Sequence, residues 1–357
     1  MSTGSPYIVG RGYDAAFFLA APIVAVAVGG VVMGITGTDT GVDVFGSATT
    51  IQMLCLRTLI HAHLVIVLAR SHFNRRVFAR TPARFVVVPV VALFLLLVSP
   101  TLLALSLGVV IVWDLVHSSL QTFGLGRIYE SRAGGDPSRG RAAELWLNHA
   151  IYLGPFLAGP VFLLVVGVAL SPLVATFPQV VPLAAAIEGA APVIRVVAVV
   201  ASVAAVVVYV VVTVRAVRAG AAFSVPKHVL YASTAIACVA AWGFNSFGQA
   251  LLIVNVFHAV QYFGLVAWLE RGSLADRLRL GGRHAGLLVF AVLVLAGLLY
   301  GFWLGAAGQL WLPPGAPQTV CLAVVNLVAL LHFWYDGFIW SVRRGDTAPA
   351  ARPPAPG

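Results

Sequence analysis

The sequence predicts an all-α fold, a polytopic integral membrane helical bundle of about ten transmembrane helices. Of the 357 residues, 60% are hydrophobic and only 10% are charged, whereas soluble domains carry roughly 25% charged residues. The mean hydropathy is +0.97. The charged residues fall in short runs between apolar stretches of about 20 residues, the length that crosses a bilayer as a helix. These observations exclude a soluble globular protein.

Ten apolar segments are candidates for spanning helices, because their runs are too long and continuous for the alternating strands of a barrel. We expect them to form one transmembrane domain over residues 1–344, followed by a disordered, Pro- and Ala-rich cytoplasmic tail over residues 345–357. In chain order the expected spans are Ala15–Ile35, Thr49–Leu68, Phe85–Ser99, Thr101–Phe123, Leu145–Leu170, Val193–Val214, His228–Phe244, Gln249–Leu269, Ala285–Leu304 and Thr319–Trp340.

The basic residues predict how these spans are oriented. Twenty of the 22 Lys and Arg residues precede the first span or follow an even-numbered one, and the alternate loops contain none. The two exceptions are Arg57 and Arg195, which lie within the second and sixth spans. Because cytoplasmic loops carry an excess of basic residues, we expect both termini in the cytoplasm and the protein in a bacterial-type inner membrane.

Charge and cysteine usage exclude two further classes of site. The net charge is +10, but the basic residues are spread over short loops instead of forming a solvated face, so no nucleic-acid partner is expected. The cysteines Cys55, Cys238 and Cys321 all lie in apolar segments without paired spacing. The sequence therefore predicts neither a disulfide framework nor a thiolate metal site.

Histidines occur at one depth of the predicted bundle. On each of four spans, the next arginine after the histidine marks the cytoplasmic boundary. At 1.5 Å per residue, the histidines lie about 10 to 20 Å above that boundary. His61 and His63 are about 200° apart around one helix, so both can face a common centre only if the helix is distorted. His149 enters the same layer from the start of the fifth span, and His72 lies at its edge; the roles of both stay open. The histidines of the layer are His61, His63, His117, His258 and His332.

Polar side chains accompany these histidines at helical spacing. Ionisable groups inside a bilayer are costly and normally face the bundle interior, which predicts a shared polar site. A carboxylate or amide one turn from an imidazole is also how a metal-bound histidine is oriented. We expect His117, His258, His332 and one or both of His61 and His63 to be metal ligands. The expected catalytic or orienting groups are Asp114, Asp336, Gln121, Gln261 and Tyr262.

This set of side chains indicates a class of metal. Several imidazoles with one or two carboxylates and no thiolate suit iron, copper or zinc, and do not suit an oxygen-only magnesium or calcium site. Non-haem iron with open positions activates oxygen. A substrate that reaches such a site from the lipid bilayer is apolar, such as a fatty acyl chain, sterol, quinone or polyprenoid. The sequence therefore predicts a membrane oxygenase, hydroxylase or desaturase.

This arrangement of histidines resembles the bacterial Brp/Blh membrane carotene dioxygenases in its general plan and a few short motifs. The resemblance implies iron held by histidines from several helices. The ending His332-Phe-Trp-Tyr-Asp336-Gly-Phe-Ile-Trp340 resembles the endings of uncharacterised bacterial membrane proteins. The HxxxH and HxxHH boxes of membrane desaturases are absent, which disfavours a standard desaturase. The histidine spacing departs from the carotene-cleaving pattern, which leaves the substrate open.

Two other classes of function remain alternatives. A haem- or quinone-binding electron-transfer protein needs axial histidines on facing helices, and His117 with His258 could supply them. A proton- or metal-coupled transporter would use the same buried groups as a relay and would show broken helices near the midplane. The sequence contains no evident pair of Gly- or Pro-interrupted spans, which disfavours transport.

Overall fold

The described residues are 84% helical with almost no sheet, which confirms the all-α prediction at this level. The structure, a computed structural model, describes residues 5–36, 41–44, 47–136, 138–282 and 284–340. The expected disordered tail, residues 345–357, lies outside the described residues. Three of the arginines that predict the orientation also lie outside the described residues: Arg283, Arg343 and Arg344.

The described residues form fifteen α-helices and one antiparallel hairpin, in which Gly41 pairs with Thr50. Two π-helical turns, Ala15–Leu19 and Gly301–Ala307, and a short 3₁₀ turn, Pro178–Val180, lie between them. In chain order the elements are α1 Arg11–Asp14, α2 Ala21–Thr36, β1 Gly41–Val44, β2 Ser47–Thr50, α3 Ile51–Val65, α4 Val67–Ser71, α5 Arg75–Arg80, α6 Pro82–Val98, α7 Pro100–Arg132, α8 Arg141–Ala158, α9 Phe162–Thr176, α10 Val181–Arg218, α11 Val225–Phe244, α12 Phe247–Arg277, α13 Ala285–Tyr300, α14 Gly308–Trp311 and α15 Ala316–Ile339.

Six to eight helical segments of the described chain are long and apolar enough to cross a membrane, by length and composition. Two of these are pairs of helices with a bend: Arg11–Leu19 with Ala21–Val31, at 51°, and Arg141–Ala158 with Phe162–Ala175, at 92°. The expected third span is the short helix α6, and α11 is not among the six. The six are Ile51–Ser71, Pro100–Arg132, Pro178–Arg218, Phe247–Arg277, Ala285–Ala307 and Ala316–Ile339.

The chain divides into two compact units. Unit 1 comprises Met1–Ile35 and Ala104–His258, and unit 2 comprises Thr36–Leu103 and Ala259–Gly357, within the limits of the described residues. The single transmembrane domain expected for residues 1–344 stays a prediction.

In unit 1, α8 packs against α10 and α11. The expected fifth span is broken after α8, where Gly159 and Pro160 separate it from α9. A Cβ on Gly159 would overlap the main-chain carbonyl oxygen of Trp242, so only glycine allows this approach. Pro160 lacks an N–H, and the residue before a proline avoids the helical region. The Gly-Pro pair therefore turns the chain by 92° instead of continuing one span.

A buried ion network joins α7, α8 and α11 in unit 1. Oε2 of Glu144 accepts a hydrogen bond from the Arg127 guanidinium, and Oε1 of Glu144 lies 2.8 Å from Nζ of Lys227. Lys227 also pairs with Glu130. All four side chains are less than a tenth exposed, and charges buried to this degree are stable only when paired. The network therefore fixes the ends of three helices to one another.

In unit 2, a series of glycines lets α13 and the following π-helical turn contact α3 closely. Gly297, Gly301 and Gly305 recur every four residues, the spacing that places them on one helical face. A Cβ on Gly297 or Gly301 would overlap α3 backbone atoms, at Ala62 and Thr58 respectively. The small residues thus let two backbones approach without intervening side chains.

The glycine contact predicts a position-specific effect of adding one methyl group. Gly301→Ala would place Cβ against the carbonyl oxygen of Thr58, so we expect a loss of about 1–3 kcal/mol in the free energy of unfolding. Gly286→Ala, on α13 with open space around its Cβ, is the matched control and should be neutral or stabilising. Denaturant titration in detergent measures both, and equal effects would contradict this packing.

Candidate metal centre

Three helices of unit 2 bring together His63, Tyr262 and His332. Thr50 starts α3 by accepting a hydrogen bond from the Met53 amide at 3.1 Å, and this helix carries His63. The ring centroids of His63 and His332 are 5.3 Å apart, nearly perpendicular. One ring nitrogen of His63 lies within 4.8 Å of one ring nitrogen of His332. Both side chains are fully buried, and the Tyr262 ring lies 4.7 Å from that of His332.

Backbone carbonyls fix the same tautomer of both histidines. Nδ1 of His332 lies 3.1 Å from the carbonyl oxygen of Leu64, and Nδ1 of His63 lies 3.4 Å from that of Leu59. A carbonyl only accepts, so each Nδ1 carries the hydrogen, and in the neutral imidazole each Nε2 keeps a lone pair. This is how the outer hydrogen bond of a metal-binding histidine sets its tautomer and ring orientation.

Asp336 completes the cluster one turn after His332. Its Oδ1 accepts from the Tyr262 hydroxyl at 3.0 Å and from the Trp340 indole nitrogen at 2.8 Å. Its Oδ2 lies 3.6 Å from Nε2 of His332. Two acceptors that face each other at this distance repel, unless a proton or a cation lies between them. The donor set thus suits a cation: two neutral imidazole nitrogens and an anchored carboxylate.

The structure separates the roles of His61 and His63. The His61 ring packs over Gly305, where a Cβ would overlap it, whereas His63 faces His332. Among the described residues, Nδ1 of His61 is buried and has no hydrogen-bond partner. His63 is therefore the one of the two that joins the histidine pair of unit 2.

Unit 1 contains a second histidine pair. The rings of His117 on α7 and His258 on α12 have centroids 5.2 Å apart, and both are buried. Nε2 of Gln121 donates to the main-chain carbonyl of His258 at 3.1 Å, so this amide positions the helix that carries the histidine. Asp114 interacts with the side chain of Asn255, the polar residue three positions before His258.

Gln261 and the edge histidine His72 have different surroundings. Gln261 is fully buried in unit 2. His72 is held by the Ser71 hydroxyl at 2.8 Å and by the Phe85 carbonyl at 3.0 Å, and its ring packs on Tyr335. These contacts give His72 a structural role.

Sequence reasoning missed the residues that support the cluster. Trp340 donates to Asp336, and the Arg70 guanidinium lies 5.0 Å above the Trp340 ring. Arg70 pairs with the fully buried Glu270, which also accepts from Asn74 at 2.8 Å. Glu270 directly follows the expected span Gln249–Leu269, and a carboxylate at the end of a span is the signal that would have revealed this partner.

Both histidine pairs have the spacing of ligands to one ion. Two imidazoles bound tetrahedrally, with metal–nitrogen bonds of about 2.0–2.1 Å, have ring centroids about 5 Å apart. The buried clusters are therefore compatible with metal binding. No protein-family model, curated protein or solved structure matches the chain.

The hydrogen bond from Tyr262 to Asp336 predicts a measurable stability difference. Tyr262→Phe removes a donor to a charged group, so we expect a loss of about 1.5–3 kcal/mol in the free energy of unfolding. Tyr335→Phe is the control, because that buried hydroxyl has no hydrogen-bond partner among the described residues. Its effect should be near zero in the same denaturant titration. Similar losses in both variants would rule out the hydrogen bond as the cause.

Proposed function

We propose that this chain is a membrane-embedded, histidine-ligated metal oxidoreductase, with non-haem iron as the metal. It acts as an oxygenase or hydroxylase on an apolar lipid or isoprenoid substrate that enters from the bilayer. We further propose ten spans, both termini in the cytoplasm and a place in a bacterial-type inner membrane, on the alternation of basic loops.

The observation that carries the proposal is that Nδ1 of both His63 and His332 contacts a backbone carbonyl while the two rings face each other. A buried imidazole whose Nδ1 donates to the backbone presents Nε2 as a metal donor, and here two such groups face each other. Iron bound by histidines with open positions supplies oxygen activation. Imidazole also binds copper and zinc, so the metal analysis includes both.

Asp336 and Tyr262 have positioning roles in this proposal. The carboxylate is held by two donors and faces Nε2 of His332, so it can bind the same cation or a proton next to it. The apolar helices around the cluster exclude water, which strengthens each electrostatic interaction within it. In unit 1, the buried pair of His117 and His258 offers a further two imidazoles for metal binding.

Metal analysis of purified protein tests the proposal without an activity assay. We expect detergent-purified wild type to contain iron in fixed ratio and to lack the Soret band of haem. His63→Ala, His332→Ala and the milder His332→Gln should lower the metal content about tenfold or more. His61→Ala should keep it, because that ring packs over Gly305. His284→Ala, at an exposed histidine, is the surface control.

Two results would contradict the proposal. One is folded wild type without transition metal, and the other is unchanged metal content in both His332 variants that elute as monodisperse protein. A Soret band would instead favour the haem alternative. The perpendicular rings of His117 and His258, at 5.2 Å, would have to separate to admit a porphyrin between them.

One observation favours a transporter as the second candidate. Unit 1 contains two bent helix pairs, at 51° and 92°, although the sequence shows no evident pair of interrupted spans. Broken helices are typical of secondary transporters, where the helix ends bind ions. This candidate predicts protein without metal in fixed ratio and a proton or metal flux in sealed vesicles.

A further inference from the structure

An open groove runs along unit 1 between α8 and α10. Its volume is about 670 Å³, within the roughly 300–1,000 Å³ of small-molecule sites. α8 lines it from Ala142 to Leu157, and α10 lines it from Ala198 to Val212. At 1.5 Å per residue, the two helices give the groove a length of about 21–23 Å. The groove is therefore long.

The lining of the groove suits a hydrocarbon chain. The lining is mostly Ala, Gly, Leu and Val. Only 11% of the apolar window of Pro178–Arg218 is buried within the chain, so α10 presents its side chains outward, as lipid-facing helices do.

His149 supplies one hydrogen-bond acceptor to this apolar wall. The Ser119 hydroxyl donates its only hydrogen to the Val116 carbonyl at 2.7 Å. Nδ1 of His149 lies 2.8 Å from the same hydroxyl oxygen. Both hydrogen bonds form together when Nδ1 donates to that oxygen, and Nε2 of the neutral ring then keeps its lone pair. Within the described part of the chain, no residue donates to that Nε2.

Two other polar groups line the groove. Ser202 donates its hydroxyl hydrogen to the Ala198 carbonyl at 2.7 Å, which leaves only lone pairs for a ligand. The Trp146 ring, 6.1 Å from that of His149, adds one N–H donor. A hydroxyl can donate to Nε2 and accept from the indole. A carboxylate or a ketone only accepts, so neither satisfies His149.

We propose that this groove binds a long-chain lipid alcohol drawn from the bilayer. Its hydroxyl donates to Nε2 of His149, and its chain lies along the alanine-lined wall of α10. Ser119 is two residues after His117, about 200° around α7, so the groove is separate from the histidine pair of unit 1. The inference does not rest on the proposed metal chemistry.

A photolabelling experiment tests the site in protein reconstituted into lipid nanodiscs. The probe is a diazirine-bearing C18 alcohol, compared with its methyl ether and with the matching carboxylic acid. We expect the alcohol to label α8 and α10 peptides. His149→Phe keeps a ring but removes the acceptor, so labelling should fall about fivefold, to the level of the methyl ether.

Two alanine-to-leucine variants test the same site, one inside the groove and one outside it. Ala205→Leu fills the groove and should reduce labelling about tenfold, whereas Ala185→Leu, exposed on the same helix outside the groove, should not. Equal labelling by alcohol and ether, or no effect of Ala205→Leu, would overturn the proposal. So would cysteine cross-linking that shows α10 of a second copy covering this face.

Discussion

A polar side chain between apolar helices is stable only when the protein itself supplies its partner, because hydrocarbon offers none. Each buried charge of the ion networks obeys this constraint. Glu144 holds Arg127 and Lys227 in unit 1, and Glu270 holds Arg70 and Asn74 in unit 2. Replacing one partner would leave the other charged and desolvated. The paired groups therefore decide which helix faces meet.

The same constraint shapes the histidine cluster of unit 2. Backbone carbonyls satisfy Nδ1 of His63 and His332, and Tyr262 and Trp340 anchor one oxygen of Asp336. These bonds leave acceptors facing one another in a buried space, the arrangement that a cation stabilises. Stability and proposed function are thus linked, since the hydrogen bonds that orient the side chains also select their tautomers.

Long apolar periodicity made the helical class predictable, and the polar stripes identified His332 and Asp336 as neighbours one turn apart. Tertiary contacts decided the rest. Helical spacing predicts that His61 and His63 point in different directions, but it does not predict which of them faces another histidine. The packing of the His61 ring over Gly305 shows that His61 is not that residue. The break at Gly159 depends on a close approach to Trp242, a residue 83 positions away. The hairpin Gly41–Thr50 is too short to stand out beside the spans.

The proposed metal centre requires that buried imidazoles bind a transition metal through nitrogen. X-ray absorption at the iron edge of the iron-loaded protein measures these bonds. We expect nitrogen and oxygen scatterers at about 2.1 Å with the outer-shell pattern of imidazole, and fewer imidazoles in His332→Ala. A first shell containing sulfur at about 2.3 Å, or one without imidazole scattering, would exclude a histidine-ligated centre.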